Sequence, residues 1–474
     1  TFFVISSATS LRSSSPDIGT VEAHIKFQIA KCQGEIGEKH TALKTIESIS
    51  SRFKTPSMLV WIGKVYSDCG MERGTLHNYR EALRQNSYSI QAALGLLKQH
   101  IPPEDINDLC VSSKIARKED LAWITKLVDA HGNYRASKHK QALSLFTQLE
   151  KWFPNHVHIL IQMASLHLQL NDRNAAIIMF QKARAADMKN LEGMDIYASL
   201  IRYQEDQTRL NSLTKELLDV NDKRPEAWIA VALFCDLKGD RLSAVQFVDK
   251  ALELDPNHLT AHHFKGQLHL RLQQPEQSVQ SYYRAYSIRR DFNAYHGLVN
   301  AYLKIPKVGE ALRTAKEALS LMPKDARAML LVGRVLSQTP GDGRKKAIKA
   351  YAKALKLDAL CYEAAIAFAD LHLLQHQQNP HTDLQPAIGV MTQSLQHHNK
   401  DFMHCKLGEL HTTAMNYPDA LTHFHRALSL NSEFEPARQA LERLEKLMRG
   451  VDPDAEEETE VEDGENGDYL EQDV

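Results

Sequence analysis

Residues 225–258 read PEAWIAVALFCDLKGDRLSAVQFVDKALELDPNH. Trp228, Val231, Ala232 and Cys235 recur at spacings of three, one and three, which puts them on one face of a helix. Lys238-Gly239-Asp240 interrupts that pattern, and Gly239 suits the left-handed residue that ends a helix. Ala244, Val248, Ala251 and Leu252 mark one face of a second helix. Asp255-Pro256 stops it, because proline disfavours helical geometry in the residue before it. The stretch is a two-helix hairpin, too small to bury its own apolar face, so it needs neighbours.

The neighbours recur at a period of about 34 residues. Downstream, 259–291 carries Gly266, Tyr282 and Ala285, and 292–325 carries Tyr295, Tyr302, Ala311, Ala318 and Pro323. The unit from Ala326 carries Gly333, Ala347, Tyr351 and Ala354, with an insertion at 339–343. A looser unit at 362–400 has an insertion at 377–384, and 401–434 carries Gly408, Ala420, Phe424 and Ala427. Upstream, 157–190 carries Ala164, Ala176 and Phe180, and 191–224 keeps only Tyr197, Ala198 and Leu217. Units at 23–55, 56–89 and 123–156 complete the series. Ile90–His100 opens a unit whose second half has drifted, with helix expected through Asp108 to Lys118. Aromatic, small, small and proline positions in this order are the tetratricopeptide pattern. The fold expected is all-α, a tetratricopeptide superhelix (α-solenoid). Gly266, Gly333, Gly408 and Ala232 are expected where the two helices of a unit approach most closely. Ala251, Ala285, Ala318, Ala354 and Ala427 are expected where a second helix meets the next unit.

The expected organisation is a disordered linker at 1–20, repeats at 21–122 with one degenerate unit, and continuous repeats at 123–434. A capping helix follows at 435–450, where Ala437, Leu441, Leu444 and Leu447 share a face. An acidic tail at 451–474 is expected to be disordered. The formal net charge of −2 hides an asymmetry: 451–474 holds twelve acidic and no basic residues, so 1–450 carries an excess of ten positive charges. A tail of that kind either stays solvated or screens a basic surface. Ser15-Pro16 offers a site for a proline-directed phosphate. The six cysteines are scattered, with no CxxC pair, which favours a reducing, intracellular compartment. No apolar run approaches the ~18–20 residues that span a bilayer. Thr1–Ser6 is apolar but short and lacks a basic flank, so it does not resemble a secretory signal.

No GxSxG elbow, phosphate loop or HExxH helix is present, so no catalysis and no cofactor is expected. His258/His262 and His372/His376 have the i, i+4 spacing that can hold a metal, but no third ligand accompanies either pair. What a solenoid offers is a groove lined by its first helices. Every fourth place along them gives Ile229 and Leu233, then His263, Gln267 and Arg271, then His296, Asn300 and Lys304, then Arg334 and Gln338. The polar and basic part of that row can grip an extended or acidic peptide, with a solvated inner face as the plainer reading. Nucleic acid is not expected, because no aromatics interleave with the dispersed basic residues.

Short runs carry a closer resemblance. Tyr79-Arg-Glu-Ala-Leu-Arg-Gln with Ala92-Ala-Leu-Gly-Leu-Leu97, then Glu192-Gly-Met-Asp-Ile-Tyr197, then Pro225-Glu-Ala-Trp228, resemble the subunit-seven family of the anaphase-promoting complex. The resemblance covers the chain from about Val21 onward. It implies a non-catalytic scaffold in a multisubunit ubiquitin ligase that controls mitotic progression, in nucleus and cytoplasm. The implied partners are other subunits, above all paralogous repeat subunits. Homodimerisation is implied through an N-terminal helical stretch that would precede Thr1. The rival reading is a free adaptor or co-chaperone that presents short peptides.

Overall fold

The computed structural model describes residues 18–112, 119–136, 138–170, 172–339, 342–359, 361–379, 382–397 and 399–449. Most of the expected linker, Ser15-Pro16 and the acidic tail lie outside the described residues, as does 113–118. The described residues form 25 α-helices and one short 3-10 turn, with no strand among them. They fall into two compact units, Thr1–Asp222 and Lys223–Val474.

In the first unit the helices are α1 (Ile18–Ile36), α2 (Lys39–Glu47), α3 (Pro56–Asp68), α4 (Glu72–Gln85), α5 (Ile90–Lys98), α6 (Pro103–Ser112), α7 (Ala122–Arg135), α8 (His139–Trp152), α9 (Val157–Gln169), α10 (Arg173–Ala186), α11 (Met194–Tyr203) and α12 (Gln207–Val220). Most pair as antiparallel hairpins. The drifted unit is the exception: α5 and α6 are short and both pack on α7, around Leu96, Ile106, Cys110 and Ile124. The degenerate unit has a first helix, α11, of only 10 residues, which starts behind left-handed Gly193.

The second unit contains α13 (Pro225–Leu237), α14 (Arg241–Leu254), α15 (Leu259–Arg271), α16 (Pro275–Ile288), α17 (Phe292–Lys304), α18 (Val308–Leu321), α19 (Ala326–Ser337), α20 (Gly343–Leu357), α21 (Tyr362–Gln378), α22 (Gln385–His397), α23 (Asp401–Thr413), α24 (Tyr417–Leu430) and α25 (Glu435–Met448). The α13–α14 turn is built as its sequence predicts. Gly239 has φ +88°, its N–H donates to the Asp236 carbonyl at 3.1 Å, and the Asp240 N–H reaches the Cys235 carbonyl at 3.0 Å. These bonds satisfy carbonyls left over at the end of α13. The Asp240 carboxylate then accepts from the Ser243 N–H at 3.1 Å and caps α14. Ala232 is buried, whereas Trp228, Val231 and Cys235 are half-buried. Trp228 stacks on Phe247 with the Lys250 ammonium 3.4 Å above its ring.

The glycine expectation holds in atomic terms. The buried Tyr282 ring on α16 lies between Gly266 of its own repeat and Gly297 of the next. A Cβ at Gly266 would fall 2.6 Å from that ring, and one at Gly297 would fall closer still. Tyr79 is held the same way between Gly63 and Gly95, Tyr351 packs on Gly333, and Phe424 on Gly408. Ala251, Ala285, Ala318, Ala354 and Ala427 are all fully buried. At the far end, α25 buries Ala437 and Leu444 in one cluster with Phe424 and Ala427, while Leu441 is half-buried and Leu447 exposed. Among the described residues no helix is long and apolar enough to cross a membrane.

Candidate partner-binding face

The predicted row lies on the first helices α15, α17 and α19 of the second unit. Two of its expected members are not available. Ile229 and Leu233 on α13 are each only 2% exposed, so they are core and not groove. The helix is apolar almost all round, and burial of both side chains outweighs the solvent position that periodicity gave them.

The remaining row is polar but largely engaged with itself. Arg271 on α15 donates to the Asp236 carboxylate on α13 at 2.7 Å, and the Asp236 side chain is 1% exposed. His263 sits 3.7 Å from Asp291, which caps α17, and its ring lies beside Tyr282. Burial lowers the His263 pKa, against the pull of Asp291, so the imidazole is neutral. On α17 and α19, the Arg334 guanidinium lies 3.0 Å from His296 Nε2 and 3.3 Å from the Asn300 side-chain Oδ1. Gln267 and Lys304 are exposed, and Lys304 forms no ion pair with any described residue. Lys406 on α23 repeats the motif by pairing with Asp370 on α21 at 2.9 Å. The structure therefore divides the row. Arg271, His296, Asn300 and Arg334 tie successive first helices together, while Gln267 and Lys304 face water.

Sequence reasoning missed Asp236, Asp291 and Glu317. Glu317 on α18 accepts from both the Tyr286 hydroxyl (2.7 Å) and the Tyr295 hydroxyl (3.2 Å), and so joins α16, α17 and α18. The one available signal was an acid inside the apolar run of α13. Asp236 falls four residues before Asp240 and reads locally as turn polarity.

Of the two histidine pairs, His372/His376 lies within one helix, α21, whereas His258/His262 does not. His258 is the extended residue before α15, hydrogen-bonded to the Thr260 hydroxyl at 3.0 Å, and His262 bonds the Pro256 carbonyl at 2.9 Å. His372 is buried against Phe368, and His376 bonds the Thr382 carbonyl. His404 and His423 approach to 3.1 Å through their Nδ1 atoms, with His411 stacked on His423. Among the described residues no group of three or more His, Cys, Asp or Glu is arranged to hold a metal ion.

Burial, and then Arg334, push the His296 pKa down to about 4. The unfolded imidazole takes its proton near its ordinary value of about 6.5. Between those values the unfolded state binds more protons, so stability is lost as pH falls from about 6.5 toward 4. The His296 share of that loss at pH 5 is about 2 kcal/mol. Urea unfolding at pH 7 and pH 5 is expected to show a drop that His296→Asn reduces by this amount. An identical drop in the variant would mean that His296 is not held neutral.

Tetratricopeptide repeat family models match residues 134–199, 225–258 and 259–292. Anaphase-promoting complex subunit 7 of Arabidopsis thaliana is 33% identical over 444 residues, covering 92% of this chain and 78% of the relative. The proteins of the same name from Dictyostelium discoideum and Homo sapiens are 27% and 23% identical, over 92% and 94% of this chain and 76% and 79% of their own lengths. A crystal structure of the APC/C hetero-tetramer Cut9-Hcn1 has a chain with the same fold, at a TM-score of 0.62 and 16% identity, covering 90% of this chain and 85% of that one. The repeat core and the similarity over 92% of the chain agree: this chain belongs to the anaphase-promoting complex subunit 7 family.

Proposed function

We propose that the chain is a non-catalytic scaffold subunit of the anaphase-promoting complex, a multisubunit E3 ubiquitin ligase that controls mitotic progression. The observation that carries this reading is the extent of the similarity: the match to the Arabidopsis relative runs through 92% of the chain, and so through its repeat core. Stacked hairpins offer long surfaces in place of a reacting centre, and repeat proteins recruit partners by such surfaces. The partners proposed are paralogous tetratricopeptide subunits and a second copy of the chain, in nucleus and cytoplasm. The face formed by His263, Gln267, Arg271, His296, Asn300, Lys304 and Arg334 is proposed to meet a peptide segment of a partner, with the exposed Gln267 and Lys304 as its recognition points.

Affinity purification of the tagged chain from dividing cells, followed by mass spectrometry, tests the scaffold reading. Near-stoichiometric recovery of a cullin-like subunit, a RING subunit and other repeat subunits is expected. Recovery of chaperones or a single client alone would overturn it in favour of a free adaptor. For the face itself, Gln267→Ala with Lys304→Ala is expected to leave the unfolding midpoint unchanged and to weaken partner recovery about tenfold, the loss expected of two or three surface contacts. Full recovery with the double variant would remove these two residues from recognition.

A further inference from the structure

Helix α20 is unlike the second helices around it. Its sequence GRKKAIKAYAKALKL holds six basic residues and no acidic one. Lys346, Lys349, Lys353 and Lys356 are spaced by three and four residues, are exposed, and form no ion pair with any described residue. Arg344 and Lys345 have partners at the start of the helix, Gln378 at 2.7 Å and Asp342 at 4.0 Å. The neighbouring second helices supply no counter-charge. On α18, Glu310 pairs with its own Arg313 and Glu317 is held by two tyrosines, while α22 has no acid at all. Like charges three and four residues apart repel on a helix, so this row is unfavourable as it stands. The face carries no stacking group either, because its only aromatic, Tyr351, is buried on Gly333. It offers charge alone, and a ligand that fits it is an acidic segment.

We propose that the acidic segment 451–474 of this chain docks in cis on the lysine face of α20. Its twelve acidic residues, with no basic one, match the row in kind. Its reach also fits. Helices pack about 8–10 Å apart, so two repeats and α25 put the end of α25 about 30 Å from α20. Glu456 is eight residues past Met448 and Asp463 fifteen, which extended chain carries about 27 to 50 Å. The run Glu456–Asp463 thus begins where the row begins to be reachable, and it is long enough to follow the ~15 Å from Lys346 to Lys356. Tethering raises the local concentration of the segment to the millimolar range, so weak contacts suffice.

Carbodiimide coupling of carboxylates to amines in the full chain tests the proposal, using equal parts of unlabelled and nitrogen-15-labelled protein. In low salt, carboxylates of 451–474 are expected to couple to Lys346, Lys349, Lys353 and Lys356 about fivefold more often than to the exposed Lys215 and Lys324, and the excess is expected to vanish at 1 M salt. All such links should join residues of one isotope. Light-to-heavy links would assign the row to a second copy and overturn docking in cis, and an even spread over exposed lysines would overturn it altogether. The full chain with Lys346, Lys349, Lys353 and Lys356 all changed to glutamine supplies an independent readout. A glutamate-specific protease is expected to cut its 451–474 segment about fivefold faster than in the parent, because the tethered contact is lost. An unchanged rate would overturn the proposal.

Discussion

Replacing Tyr282 with alanine is expected to lower the stability of the second unit by about 3–5 kcal/mol, the range for removing a large buried ring. The ring is 4% exposed and is shared by two repeats, since it fills the space over Gly266 on α15 and over Gly297 on α17. Its loss leaves a void at both contacts at once, and neither glycine has a side chain to fill it. Total stabilities of single domains are about 5–15 kcal/mol, so this one change removes a large part of the margin. Chemical denaturation should show the midpoint shift. The reverse substitution at the partner position separates packing from helix propensity. Gly297→Ala gains about 1 kcal/mol of helix propensity but overpacks the ring, at a cost of about 1–3 kcal/mol. A net loss is expected. Gly309→Ala on α18, where a Cβ would meet nothing within 4 Å, should keep the gain instead. If the two alanine variants are equally stable, the ring is not wedged.

Arg271→Ala is expected to cost about 2–3 kcal/mol, although Arg271 lies in the proposed recognition row. The Arg271 side chain is 45% exposed, and its value lies in what it leaves behind: Asp236, whose side chain is 1% exposed, with its carboxylate 2.7 Å away. Removal of Arg271 takes the counter-charge from a buried carboxylate, and this costs more than the pair itself contributes. Asp236→Asn in the same chain is expected to recover about half of the loss, because a neutral amide is cheaper to bury than a carboxylate. A double-mutant cycle on unfolding free energy checks this. Additive losses would mean that the two side chains do not depend on each other. The result also bears on any binding assay, because weaker partner recovery with Arg271→Ala would report a loosened stack as well as a lost contact.

The hairpins were legible because their signals are local. Gly239 with Asp240, the alanines of the second helices and the aromatic–glycine pairs each depend on residues within one period. The site was less legible, for three physical reasons. Ile229 and Leu233 belong to a helix that is apolar nearly all round, so periodicity cannot say which side meets water. His258 and His262 have helical spacing, yet the helix begins at Leu259 and His258 is extended. The Arg271–Asp236 and Arg334–His296 contacts join residues 35 and 38 positions apart on helices that are not consecutive, and a single sequence carries no mark of such a pairing. A row of basic and amide side chains therefore looked free to bind, while most of it is already bound to its neighbours.

The packing of Tyr351 on Gly333 has a practical consequence. It closes the α19–α20 hairpin even though the connection there, 338–342, is longer than the three-residue turn between α13 and α14. The ring against the glycine, not the length of the connecting peptide, acts as the gauge that sets the spacing. That connection is accordingly the place to graft an epitope or a fluorescent label into this chain while the repeats on either side keep step.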